Sequence, residues 1–119
     1  MPRNSKDNSL KRYKLMLSIC EKYSLYASYP KVRIVMDREK KEKLKYALHY
    51  VKLFKETLEH QELLDKELIN NEFILKNDGW WITRYSRATY YRNRNKAITN
   101  FLMEFPLWTY FFQLHYYLW

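Results

Sequence analysis

Glycine is almost missing: Gly79 stands alone among 119 residues. That excludes the glycine-rich loops with which nucleotide enzymes cradle phosphates, and it removes the commonest breaker of regular structure. Cysteine is as scarce. Cys20 by itself makes neither an internal disulfide nor a cysteine metal cluster, which fits a reducing compartment, the cytoplasm by default. Proline occurs only at positions 2, 30 and 106. The longest apolar stretch, Leu107 to Trp119, is shorter than the ~20 residues needed to cross a bilayer, and the basic start lacks the apolar run of a signal peptide. Neither a membrane span nor secretion is expected. Histidines 49, 60 and 115 are scattered, and Cys20 has no histidine near it in sequence. Glu56, His60 and Gln61 share one helical neighbourhood but lack a second His or Cys at ligand spacing. Catalysis, cofactors and metals are therefore not expected.

Positive charge is what the chain has in excess. A formal net charge of +9 favours a polyanionic partner, because clustered Lys and Arg displace counterions from phosphates. Residues 1–41 carry eleven basic and four acidic side chains, residues 42–75 five and seven, and residues 76–104 six and two. The middle reads as scaffold and the flanks as basic surface. From Phe105 to Trp119 there is no charged side chain, only nine aromatic rings, His115 included, among fifteen residues.

With so few breakers, long helices follow, and the expected fold is all-α: a single helical domain of about five helices over residues 1–119. Residues 1–8 read as a mobile basic start. Leu10, Tyr13, Leu17 and Cys20 then recur at helical spacing, capped by Asn8 or Ser9, to about Ser24. Val32, Ile34 and Met36 alternate with Lys31, Arg33 and Val35 as a short extended segment could. Asp37 caps a second helix whose stripe is Leu44, Ala47, Leu48, Val51, Phe54 and Leu58, completing the N-terminal helices of residues 9–57. The pattern loses phase near His60 and resumes at Leu64, Leu68, Ile69 and Phe73 to about Leu75. Residues 76–79 form a turn by composition, and Trp80 to Tyr85 leaves room for little more than one helical turn. Two tryptophans there fill the core beneath the turn.

Ser86 is a good N-cap for the helix that follows, which Pro106 stops near Phe105. From Arg84 to Lys96 there are five basic residues and no acidic one, whereas solvated faces usually mix signs at i, i+4. Its periodicity separates two faces. Tyr90, Ala97, Ile98 and Phe101 fall in one arc and should pack on the third helix, while Thr89, Arg92 and Lys96, flanked by Tyr91 and Asn95, look outward. Arg87, Thr89 and Arg92 are the candidates for base-edge contacts, and Arg84, Ser86, Tyr91 and Lys96 for phosphate positioning. Free N–H groups in the first turn also suit an anion. A solvated basic helix whose tyrosines pack internally is the plain alternative.

The run Ser86-Arg87-Ala88-Thr89-Tyr90-Tyr91-Arg92, followed by Ala97-Ile98, resembles the recognition helix of ArpU-type phage transcription regulators and, more distantly, of sigma factor region 4. Small uncharacterised mollicute proteins carry a similar Trp-Trp then Ser-x-x-Thr-Tyr-Tyr-Arg signature. The resemblance covers about residues 58–102 and implies a helix-turn-helix-like unit that places the Ser86 helix in the major groove of double-stranded DNA, in transcription control. By the same analogy the candidate protein partners are a second copy, in a homodimer reading paired half-sites, or RNA polymerase, as for sigma region 4.

The aromatic tail, residues 105–119, either closes the core as a last helix or presents a partner surface through Trp108, Phe111, Phe112 and Trp119. Two rival functions therefore stand beside DNA binding. One is a polymerase-associated adaptor that uses the tail, and the other is an RNA-binding protein whose tyrosines stack on unpaired bases.

Overall fold

Few breakers yield long helices. A computed structural model describes residues 2–29 and 38–106, with side chains from Asn8 onward. Here α1 spans Pro2–Ala27, α2 Arg38–Glu59, α3 Leu63–Ile69 and α4 Arg87–Glu104, and a π-helical turn, Asn70–Ile74, carries α3 onward. The described residues contain no strand, so this is an all-α single domain. Four helices are described against an expectation of about five; the aromatic tail, where a last helix was one of two expectations, falls largely on residues 107–119, which lie outside the described residues. So does the segment 30–37, with its expected extended stretch and the Asp37 cap.

α1 begins at Pro2, ahead of the start expected at Asn8 or Ser9. Proline is at home in a first helical turn, where its missing N–H would be unpaired in any case, and no breaker follows before Ala27.

One core serves all four helices. Met16, Ile19 and Cys20 of α1 meet Tyr50 and Phe54 of α2, Leu68 and Ile69 of α3, Phe73 of the π-turn, and Ala97, Ile98 and Phe101 of α4. The buried stripe of α2 is Ala47, Tyr50, Phe54 and Thr57, so it is rotated from the expected one and leaves Leu48 half exposed. Rings decide that rotation. Tyr50 meets Tyr26 edge-on at 5.3 Å and Phe105 at 5.5 Å, while its hydroxyl donates to the Ile19 carbonyl at 3.3 Å. A tyrosine that buries its ring and still satisfies its hydroxyl outcompetes a leucine for the interior. Phe54 stacks on Tyr23 of α1 at 4.0 Å and meets Phe101 of α4 at 5.2 Å. The inner face of α4 therefore packs on α1 and α2 as well as α3. Leu10 and Leu64, expected inside, are 53% and 66% exposed.

α3 and its π-turn run antiparallel to α4. Gln61 Nε2 donates to Glu104 at 3.1 Å, Asn100 Nδ2 donates to the buried Asp65 at 3.1 Å, and Lys96 Nζ lies 3.7 Å from Glu62. A typical helix-turn-helix joins its helices through about 3–4 residues at a steep crossing. Here residues 75–86 make the connection. Two anchors occupy that length: Trp80 Nε1 donates to Glu72 at 2.9 Å, and Trp81 stacks on Tyr90 at 4.2 Å and 11°. Trp80 to Tyr85 is consequently a set of turns, closed by Ile82 N–H to Gly79 and Arg84 N–H to Trp81, and not a helix. Gly79, at φ +69°, lets the chain reverse there.

Candidate nucleic-acid interface

Ser86 sits in extended conformation ahead of Arg87, and its Oγ accepts the Thr89 N–H at 3.2 Å, the expected cap. The same hydroxyl donates to Thr89 Oγ1 at 2.9 Å. Thr89 is thus half-buried and engaged within the first turn, not projecting freely outward as expected. At the other end the helix stops before Pro106, where the Phe105 N–H still reaches the Phe101 carbonyl at 2.8 Å.

Tyr90, Ala97, Ile98 and Phe101 are buried, as the periodicity requires. Burial, and then hydrogen bonding and charge from Glu72, hold the Tyr90 hydroxyl well above the ordinary phenol pKa, while Arg94 pulls the other way. The opposite face presents Ala88, Arg92 and Lys96, all exposed, and Arg87 projects from the helix start. Arg92 makes no ion pair among the described residues.

The remaining candidates are partly committed. Arg84, outside the helix, pairs with Glu67, and Lys96 pairs with Glu62, so α3 neutralises one edge of the surface. Tyr91 is 38% exposed, with the guanidiniums of Arg87 and Arg94 at 5.9 and 4.7 Å from its ring centroid. Trp108, Phe111, Phe112 and Trp119, the candidate partner surface, lie outside the described residues.

Arg94 is the residue that sequence reasoning missed. Its guanidinium lies 4.3 Å from the centroid of Tyr13 on α1, 4.7 Å from Tyr91 and 5.8 Å from Tyr90, a cage built from three tyrosines. Its Nε is buried without a hydrogen-bond partner. The charge is held by ring faces rather than by a carboxylate, and it clamps α4 to α1. The i, i+3 and i, i+4 spacing of Tyr91, Tyr90 and Arg94 was a visible signal, but Tyr13 sits 81 positions away (94 − 13) and was not.

Beside this region a cleft of about 320 Å³ opens between Tyr13 and Leu17 on one wall and Trp81 on the other, rimmed by Lys76 to Gly79 and Glu72. Cys20 is 2% exposed, and burial pushes its thiol up to about 12, which keeps it protonated and inert. Among the described residues no three His, Cys, Asp or Glu side chains are placed to hold a metal ion, and no helix is long and apolar enough to cross a membrane.

No protein-family model, curated protein or solved structure matches this chain.

Proposed function

We propose that this protein binds double-stranded DNA through the outward face of α4 and acts in transcription control. The observation that carries this reading is the absence of any acidic residue on α4 before Glu104, combined with exposed Arg87, Arg92 and Lys96 on a helix whose opposite side is locked in the core. Arg92 makes base-edge or phosphate contacts at the centre of the face, Arg87 flanks it, and the capped first turn offers its unpaired N–H groups to a phosphate. Ser86 and Thr89 serve that surface by fixing the helix start, since their hydroxyls bond to each other. Rigid mounting matters, because a helix that reads a groove must hold its register. The antiparallel α3 and the Arg94 cage supply that rigidity.

One observation favours a second reading. Tyr91 keeps a partly exposed ring close to the guanidiniums of Arg87 and Arg94, a pairing of ring and positive charge suited to an unpaired base and its phosphate in RNA or single-stranded DNA. Affinity for duplex DNA, single-stranded DNA and RNA across a salt series separates the two. The proposal expects the duplex to bind tightest, with Arg92→Ala weakening it by about 1–3 kcal/mol at a specific site. Equal or tighter binding of single strands, lost with Tyr91→Ala, would replace it with the second reading. A homodimer or a polymerase contact through Trp108, Phe111, Phe112 and Trp119 extends the proposal and is tested by deleting residues 107–119.

A further inference from the structure

We infer that Glu62 and Glu67 act as built-in phosphate mimics, keeping the nucleic-acid backbone off the α3 side of α4 and confining it to the side of Arg87 and Arg92. The inference rests on the nucleic-acid reading of α4. Lys96 and Arg84 are the two α3-side cations of the predicted surface, and each is matched to one carboxylate: Lys96 to Glu62 at 3.7 Å, and Arg84 to Glu67. All four side chains are at least one-third exposed, so a phosphate can reach the cations, but it must then lie beside the carboxylates. An exposed ion pair is weak and readily exchanged, whereas the repulsion between carboxylate and phosphate persists after the exchange.

The shape agrees with the charge. The groove between the two pairs encloses only about 40 Å³, lined by Leu64, Glu67, Trp80, Tyr85, Asn93 and Lys96. It is far smaller than a nucleotide needs. On the opposite edge, Arg87 and Arg94 meet no carboxylate in an ion pair among the described residues, and Glu72, the carboxylate nearest Tyr90 on that side, already accepts from Trp80 Nε1. The surface is therefore graded across its width, with a repelled edge on α3 and an attractive one toward α1. Such a gradient fixes the side on which a polyanion lies at the expense of affinity.

The test is fluorescence anisotropy of a labelled duplex DNA with the full chain and the variants Glu62→Gln and Glu67→Gln across a salt series. Each variant should bind about two- to fivefold tighter than the unaltered protein. The slope of log affinity against log salt should steepen by roughly 0.9 per cation released. Glu39→Gln, which removes an acid paired with Lys43 on α2, should change neither. Unchanged or weakened binding in both α3 variants overturns the inference, and so does equal tightening by Glu39→Gln, which would report net charge alone. Arg92→Ala keeps the two levels apart. Where it weakens binding and the glutamate variants do nothing, only this inference fails; where the unaltered protein binds no DNA, the reading beneath it fails as well. Glu39 and Glu62 are exposed and Glu67 is half-buried with a partner on the surface, so circular dichroism melting should change little in any of the three variants.

Discussion

Coupling between Tyr13 and Arg94 should be measurable and should survive salt. Cation–π contacts contribute ~0.5–1 kcal/mol when exposed and about 2 or more when desolvated. The Tyr13 contact, at 4.3 Å and partly buried, falls between these limits, so about 1 kcal/mol is expected for the pair. Arg94→Met keeps most of the stem volume and removes the charge; Tyr13→Leu keeps an apolar filler and removes the ring. Arg94→Met alone should cost little, because it also relieves the unpartnered Nε, whose burial costs ~1–3 kcal/mol. Arg94→Lys should cost more, since an ammonium cannot lie flat between rings. Urea unfolding followed by tryptophan fluorescence gives the four stabilities of the double-mutant cycle. Repeating it at ~1 M salt, where the screening length is ~3 Å, removes exposed ion pairs but leaves a contact this close. A coupling energy near zero, or one abolished by salt, would refute the clamp.

Three further outcomes follow from single sites. Gly79→Ala places a Cβ 3.0 Å from Ile82 Cδ1 at φ +69° and should lower stability by about 1 kcal/mol, almost all of it from the backbone because the Ile82 tip is exposed and can turn away. Ser86→Ala should cost ~1 kcal/mol in chemical denaturation while Ser86→Asp restores the cap, yet Ser86→Asp should weaken binding to DNA. Cys20 should resist thiol reagents at pH 8 until the chain unfolds. Its folded pKa is raised from 9.0 to about 12, so its stabilisation is complete below pH 9 and is lost as pH climbs toward 12, by up to ~1.4 kcal/mol per pH unit. Stability curves at pH 8 and pH 11 that superimpose for the unaltered protein would contradict that burial.

Local signals carried most of the helical architecture. The Ser86 cap, the Pro106 stop, the break near His60 and the inner face of α4 follow from short-range patterning, and the structure contains each of them. What escaped depends on distant partners. Leu48 gave way to Tyr50 because Tyr26 and Phe105 offer it rings and Ile19 a carbonyl. Asp65 and Gln61 look like solvated residues in sequence, yet Asn100 and Glu104 make room for them in the interior. On the candidate surface the cations were legible and their pairing was not. Glu62 and Glu67 lie 34 and 17 positions before Lys96 and Arg84 (96 − 62; 84 − 67); the antiparallel course of α3 and α4 joins the first pair and the turns between those helices the second. The π-turn left no periodicity mark of its own.

Titrating isotopically labelled protein with duplex DNA, and mapping which backbone amides shift, tests the central claim most directly. The account predicts that shifts concentrate on α4 from Arg87 to Lys96, weaken toward Glu62 and Glu67, and spare the outer face of α2. Shifts that leave α4 untouched while another surface responds would contradict it.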